Sequence, residues 1–218
     1  QTNSVTRGMQ LNYQNDAWSS SVAWTDGAYS GTYNWLGVSS AYQVTPKIAV
    51  TAIWNGSLSG NALNTMGTPV LQNNSQISNL LLSYKSDSFG ITPYLQYTVV
   101  PARPAIGING VSSSQGVGIL ATYRFTPLVD GQPPKKNTTL PFRLEFLNTS
   151  GDSITTTNNL LYGPNSAAWS ATLTPTFQNG PFFARLEGSY VRAQNYTMGN
   201  AFGQTGNSPS QTRVMLEA

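Results

Sequence analysis

The stretch Phe142-Arg143-Leu144-Glu145-Phe146 shows the pattern on which the fold rests. Successive side chains of a β-strand point to opposite faces, so the phenylalanines and Leu144 share one face while Arg143 and Glu145 share the other. Residues 182–190 repeat this alternation. A soluble β-sandwich turns such an apolar face toward a second sheet, whereas a membrane barrel turns it toward lipid and its polar face toward a lumen.

The composition disfavours several classes of protein. The chain has 218 residues, of which 9% are charged, and its net charge is +3. Soluble domains usually carry roughly 25% charged residues. The aromatic content of 11% is too high for a disordered chain. No basic cluster is longer than Lys135-Lys136, so we predict no nucleic-acid partner.

The chain contains neither cysteine nor histidine. Disulfides, cysteine-ligated zinc, thiol catalysis and a Ser-His-Asp triad are therefore excluded. Glu145 and Glu187 are the best pair for glycoside hydrolysis, but nothing in the residues beside them supports that chemistry. We predict a protein that is not an enzyme and that holds no metal and no cofactor.

The alternating pattern predicts about eleven strands and no convincing helix. Most of them approach the roughly 9–11 residues that a tilted membrane strand needs. No apolar run approaches the roughly 18–20 residues of a membrane helix. The predicted strands are Val5–Tyr13, Trp18–Trp24, Tyr33–Val44, Lys47–Asn55, Ile77–Lys85, Ile91–Val99, Val117–Phe125, Pro141–Leu147, Ala168–Phe177, Phe182–Arg192 and Arg213–Ala218.

The connections between these strands alternate between short and long. The short turns are Asn15-Asp16, Thr45-Pro46, Asp87–Gly90 and Asn179-Gly180, and the long loops are Gly56–Gln76, Pro101–Gly116, Asn148–Ala167 and Ala193–Thr212. Short turns on one side and long loops on the other are typical of an outer-membrane barrel. The segment Thr126–Leu140 departs from this pattern because it falls where a short turn is expected.

Aromatic residues recur at the ends of the apolar faces, for example Trp18, Trp24 and Trp169. Membrane barrels carry aromatic girdles at these positions, although the core of a sandwich also uses aromatic residues for packing. Pro93 and Pro175 would each remove a hydrogen bond from a sheet, and a bulge is the expected way to accommodate them.

Several segments resemble the beta-barrel porin-2 family, the OmpL-like outer-membrane porins of Gram-negative bacteria. The resemblance is carried by Arg7–Tyr13, Trp24–Ser30, Tyr33–Leu36, the turn Tyr42–Lys47 and Val117–Pro127. It implies one transmembrane, antiparallel up-and-down β-barrel over residues 1–218, located in the outer membrane, that passes small solutes. Lipid would then surround the protein. The sequence leaves open whether the protein forms a homo-oligomer or joins an envelope complex.

Two departures from the family predict that the chain lacks one or more N-terminal strands and some C-terminal residues. It is shorter than such porins, and it ends at Val214-Met215-Leu216-Glu217-Ala218 without a terminal aromatic residue. An odd number of strands is also unusual in bacterial barrels, so we expect twelve or more strands in the complete protein.

Seven charged residues of the strands share the polar face by parity. The candidates for pore-lining residues are Arg124, Arg143, Glu145, Arg185, Glu187, Arg213 and Glu217. Their confinement to one face is informative, since each charge in lipid at mid-depth would cost roughly 2–4 kcal/mol. They could filter solutes by size and charge, or they could pair with one another and only stabilise the wall.

Three functions remain open from the sequence. The favoured one is an outer-membrane channel for passive diffusion of small polar solutes. The first alternative is a barrel that does not conduct and acts as a surface adhesin or an envelope scaffold. The second is a secreted, soluble β-sandwich that binds glycans through tryptophan and tyrosine.

Overall fold

The computed structural model describes residues 7–27, 30–65, 70–129, 132, 134–151 and 161–218. They form twelve β-strands in a single sheet, with one short α-helix, α1 (Val70–Asn73). The strands are β1 (Gly8–Gln14), β2 (Trp18–Thr25), β3 (Trp35–Thr45), β4 (Ile48–Ser57), β5 (Gln76–Lys85), β6 (Phe89–Val100), β7 (Ser112–Arg124), β8 (Lys136–Ser150), β9 (Ala167–Leu173), β10 (Thr176–Asn179), β11 (Phe182–Gln194) and β12 (Ser210–Glu217).

All strand pairs are antiparallel, and neighbours in the chain are neighbours in the sheet, apart from the β8–β11 region. This up-and-down order confirms the predicted all-β class and is consistent with a β-barrel porin fold. Among the described helices, none is long and apolar enough to cross a membrane.

Strands β9 and β10 are two parts of one interrupted strand, which explains why the structure has twelve strands rather than about eleven. Leu173 lies opposite Gly188 and Thr176 lies opposite Arg185, so the register with β11 is unchanged across the interruption. The break falls at Thr174 and at Pro175, which has no N–H to donate. The expected bulge is therefore wrong at this position.

Pro93 is accommodated without a bulge as well. It pairs with Ile119 of β7, while on the β5 side the ladder is interrupted between the pairs Leu81–Tyr94 and Tyr84–Ile91 without a change of register. A missing N–H thus costs local pairing with one neighbour and leaves the alternation of faces intact.

The two largest errors among the predicted boundaries are both strand starts. Strand β7 begins at Ser112 instead of Val117, and β8 begins at Lys136, so part of the irregular segment Thr126–Leu140 is strand. Residues 112–116 are serine, glutamine and glycine, which give no side-chain signal, yet they pair with β6 through the backbone. The predicted start of the first strand at Val5 lies outside the described residues.

The large apolar side chains of the sheet are exposed rather than packed against a second layer. Leu11 and Leu216 are 77% and 78% exposed, and the buried hydrophobic residues among those described are Val100, Ile108, Ala168 and Ala193. A sandwich needs two sheets facing each other. The described residues form one, so the structure argues against the sandwich alternative.

The loops between strands alternate between two ends of the sheet, as predicted. The described residues of the β4–β5, β6–β7, β8–β9 and β11–β12 connections lie at what we call the long-loop end, while the turns 15–17, 46–47, 86–88 and 180–181 lie at the short-turn end, as does the longer β7–β8 connection that the sequence marks as the exception. We call the face that carries Arg143 and Glu145 the polar face, and the face that carries Leu144 the apolar face.

Most of the buried residues lie at the long-loop end, where loops pack on one another. Asn74 is fully buried and donates from Nδ2 to the backbone oxygen of Asn61 at 2.7 Å. Arg103 Nη2 lies 3.4 Å from Ser57 Oγ, which links the loop 101–111 to the end of β4. The loops at this end are therefore tied to the sheet and to each other through hydrogen bonds.

Candidate functional site

A line of side chains crosses the polar face from β6 to β9. Tyr94, Gly118, Glu145 and Ser170 are successive register partners on neighbouring strands, so they share one face. The Tyr94 hydroxyl donates to Glu145 Oε1, and Ser170 Oγ donates to Glu145 Oε2 at 3.0 Å. A carboxylate on β8 is thereby held from both sides.

Gly118 makes room for this contact. A Cβ atom at this position would lie 2.6 Å from the Tyr94 ring, closer than real contacts allow. The ring of Tyr94 therefore lies across the glycine and reaches β8, one strand further than its direct neighbour. This is a packing reason for glycine in the middle of a strand.

Arg143 stands two residues from Glu145 on the same face of β8. Its Nε lies 3.3 Å from Glu145 Oε2, and its Nη2 lies 3.5 Å from Thr172 Oγ1 on β9. Glu145 thus has three different partners, whereas Arg143 contacts it through a single nitrogen.

Strands β11 and β12 carry two further ion pairs. Arg185 lies opposite Glu217 and is paired with it, and Arg213 Nη2 lies 2.7 Å from Glu187 Oε1 on a diagonal. Strands β11 and β12 are neighbours in the sheet. Replacing Arg185 would leave Glu217 without its arginine, whereas Glu187 would keep Arg213.

Arg124 differs from the other candidates. It lies at the short-turn end of β7, opposite Thr139, and it takes part in none of the ion pairs of the described residues. Its Nη1 atom is buried without a hydrogen-bond partner among those residues. Among the described candidates, Arg124 is therefore the charge with the fewest compensating contacts.

A cavity of about 430 Å³ opens on the polar face beside this cluster. Its walls include Tyr94, Gln96, Arg143, Glu145, Ser170, Gln211 and Arg213, and Leu161 and Tyr162 reach it from the loop 151–166. We use "the cavity" for this space throughout. It combines guanidinium, amide, hydroxyl and aromatic groups in one concave region.

The loops beside the cavity are joined through Tyr162. Its ring lies 5.3 Å from that of Phe202, and its backbone oxygen accepts a hydrogen bond of 2.9 Å from Thr197 N. Burial raises the pKa of the Tyr162 hydroxyl. These contacts join the residues just before β9 to the loop 195–209 at the long-loop end.

Reasoning from the sequence missed Tyr94 and Ser170 as members of the cluster. The available signal was parity, which places Tyr94 among Thr92, Gln96 and Thr98 as an aromatic residue on a polar face. No cluster of three metal-ligating side chains exists among the described residues. Asp130 and Asp152, which the sequence places in loops, lie outside those residues.

Comparison with protein families gives a match over the whole chain. A search of curated proteins finds no match to the sequence. The family model described as "Putative beta-barrel porin-2, OmpL-like" matches residues 1–218, the whole chain. The single up-and-down sheet with one polar and one apolar face agrees with that match. The chain therefore belongs to the OmpL-like beta-barrel porin-2 family.

Proposed function

We propose that this protein is an outer-membrane channel through which small polar solutes diffuse passively, without catalysis. The observation that carries the proposal is the separation of the two faces of one sheet in a chain of a porin family. Most of the exposed leucine and aromatic side chains lie on one face, and every charged candidate residue lies on the other.

The apolar face is suited to contact lipid. Trp18 and Tyr42 are register partners toward the short-turn end, with ring centroids 6.3 Å apart, while Trp24 and Trp54 lie toward the long-loop end. Trp18 and Trp24 are separated along β2 by about 20 Å at a rise of roughly 3.3 Å per residue. Two aromatic bands of this kind match the two interfaces of a bilayer.

The polar face would line the lumen. In this arrangement Arg124, Arg143, Glu145, Arg185, Glu187, Arg213 and Glu217 are the charges that a passing solute meets. Three of the four candidate arginines are neutralised by glutamates on the same wall, so the field along the pore comes mainly from Arg124 and from Lys85 at the end of β5. We infer a weak preference for anions.

Single-channel recording tests the proposal directly. The purified chain, inserted into a planar bilayer in potassium chloride, should give discrete current steps. A well-folded protein that inserts and never conducts would instead favour the non-conducting adhesin or scaffold, for which the folded loops of the long-loop end offer a surface.

Arg124→Glu tests the assignment of the wall. Reversing this charge should move the reversal potential in a salt gradient toward cation preference, because no acidic partner offsets Arg124 in the described structure. The shift should shrink near 1 M salt, where the screening length is about 3 Å. Unchanged selectivity in a conducting Arg124→Glu channel would show that this strand does not face the lumen as proposed.

A further inference from the structure

We propose that the cavity is a binding subsite for small hydroxylated monocarboxylates. The inference rests on the proposed channel and names the class of solute that its wall recognises. It is carried by the unequal exposure of the arginines and glutamates around the cavity and by the hydroxyl and amide groups beside them.

The arginines of the cluster project further from the wall than their glutamates. Arg143 is 49% exposed against 30% for Glu145, and Arg213 is 59% exposed against 22% for Glu187. A solute in the cavity therefore meets guanidinium groups before it meets carboxylates. The formal charges balance, but the accessible surface is that of a hydrogen-bond donor.

The glutamates are also occupied. Glu145 accepts hydrogen bonds from Tyr94 and Ser170 and lies beside Arg143, so its two oxygens are engaged. Arg143 contacts that carboxylate through Nε and reaches Thr172 only at 3.5 Å, which leaves Nη donors for a solute. Planar guanidinium groups bind carboxylates through paired N–H donors.

The other polar groups of the lining favour a hydroxylated anion of single charge. Gln96, Ser170 and Gln211 supply amide and hydroxyl groups that can bond to the hydroxyls of a solute. The glutamates next to Arg143 and Arg213 offset much of the positive field, so a dianion such as phosphate would be poorly compensated. A volume of about 430 Å³ lies within the roughly 300–1,000 Å³ of small-molecule pockets.

Calorimetric titration of the full chain in detergent micelles tests the inference without requiring conduction. Gluconate is the probe, and sorbitol is its matched control because it has the same six-carbon polyol chain without the carboxylate. Gluconate should bind saturably and sorbitol should not bind over the same range. Equal binding of the two, no binding of gluconate, or tighter binding of inorganic phosphate would each overturn the proposal.

Charge-conserving variants locate the site. Arg143→Lys and Arg213→Lys keep the positive charge but lose the planar fork, so each should weaken gluconate binding roughly tenfold. Arg192→Lys is the control, since Arg192 pairs with Trp169 in register and lies on the apolar face. Unchanged binding in both cavity variants, or an equal loss in the control, would contradict the site.

Conduction is scored separately, so the two proposals can fail independently. One outcome would reject the subsite and keep the channel: the protein conducts potassium chloride, gluconate does not change the conductance, and calorimetry detects no heat of binding. Gluconate binding in micelles without any current in bilayers would reject the channel and retain the subsite. Far-UV circular dichroism verifies that each variant keeps its sheet.

Discussion

Strands β1–β5, which we call the neutral half, and strands β7–β12, the charged half, build their polar faces from different chemistry. In the neutral half the polar side chains of this face are mainly amides and hydroxyls, such as Ser21 and Ser39, whose Oγ atoms lie 2.8 Å apart. In the charged half, arginines and glutamates form three ion pairs. Lys85, at the end of β5, is the one ionisable residue on the polar face of the neutral half as far as the structure describes it.

The comparison teaches that topology and selectivity depend on different features. Both halves carry the same apolar face, so the alternation that sets the sheet does not depend on charge. The electric field inside the proposed lumen, in contrast, depends entirely on the charged side chains. A solute would therefore meet a neutral wall on one side and a donor-rich wall on the other.

The largest expected effect is the same in both halves. Leu80→Arg in the neutral half and Leu144→Arg in the charged half both place a charge on the apolar face, at an expected cost of roughly 2–4 kcal/mol in lipid. Asn79→Arg, on the polar face of β5, is the matched control and should cost far less. Urea unfolding from lipid vesicles measures these differences, and a tolerated Leu80→Arg would place the neutral half outside the bilayer.

An intermediate effect is expected at the ion pair between Arg7, just before β1, and the buried Asp26, just after β2. Asp26 is fully buried and accepts hydrogen bonds of 3.0 Å from Arg7 N and 2.9 Å from Arg7 Nε. Asp26→Asn keeps an acceptor but loses the charge, and Arg7 can return to water because its side chain is 58% exposed. We expect a loss of about 1–3 kcal/mol.

The same pair predicts a dependence on pH. Burial alone would raise the pKa of Asp26, but the hydrogen bonds and the charge of Arg7 outweigh it and hold the pKa below its ordinary value of 3.8. Its contribution to stability is thus present above that value and is lost as the pH falls toward the lower pKa of the folded state. Asp26→Asn should remove this part of the acid sensitivity, and an unchanged profile would contradict the assignment.

A smaller effect is expected at Gly118 in the charged half. Gly118→Ala forces the Tyr94 ring away and weakens its bond to Glu145, at a cost of about 1 kcal/mol. Gly188→Ala is the control, because a Cβ there has no neighbour within 4 Å. Equal stability of the two variants, measured by the same unfolding experiment, would show that Tyr94 is not held across the glycine.

The sequence predicted the two faces well and the partners across strands poorly. Alternation within one strand is local, which is why Arg143 and Glu145 were placed correctly on one face. The contact of Tyr94 with Glu145 joins residues 51 positions apart. It depends on the register of two successive strand pairs and on a glycine between them, none of which a single strand encodes.

Strand ends were missed for a related reason. The start of β7 consists of small polar residues that pair through their backbone, and β8 begins next to a proline-rich segment that gives the signal of a turn. Both strands continue beyond the residues whose side chains predict a strand, because their backbones pair with the neighbouring strands.

The most direct test of the account is the accessibility of single cysteines in the membrane, because the chain has no cysteine of its own. Ser21→Cys and Ser189→Cys lie on the polar face of the neutral and charged halves, and Val22→Cys and Leu186→Cys lie on the apolar face. In outer-membrane vesicles, a membrane-impermeant thiol reagent should modify both serine positions and spare Val22→Cys and Leu186→Cys. Modification of the apolar-face pair with protection of the serine positions would contradict the central claim that the polar face lines a water-filled channel.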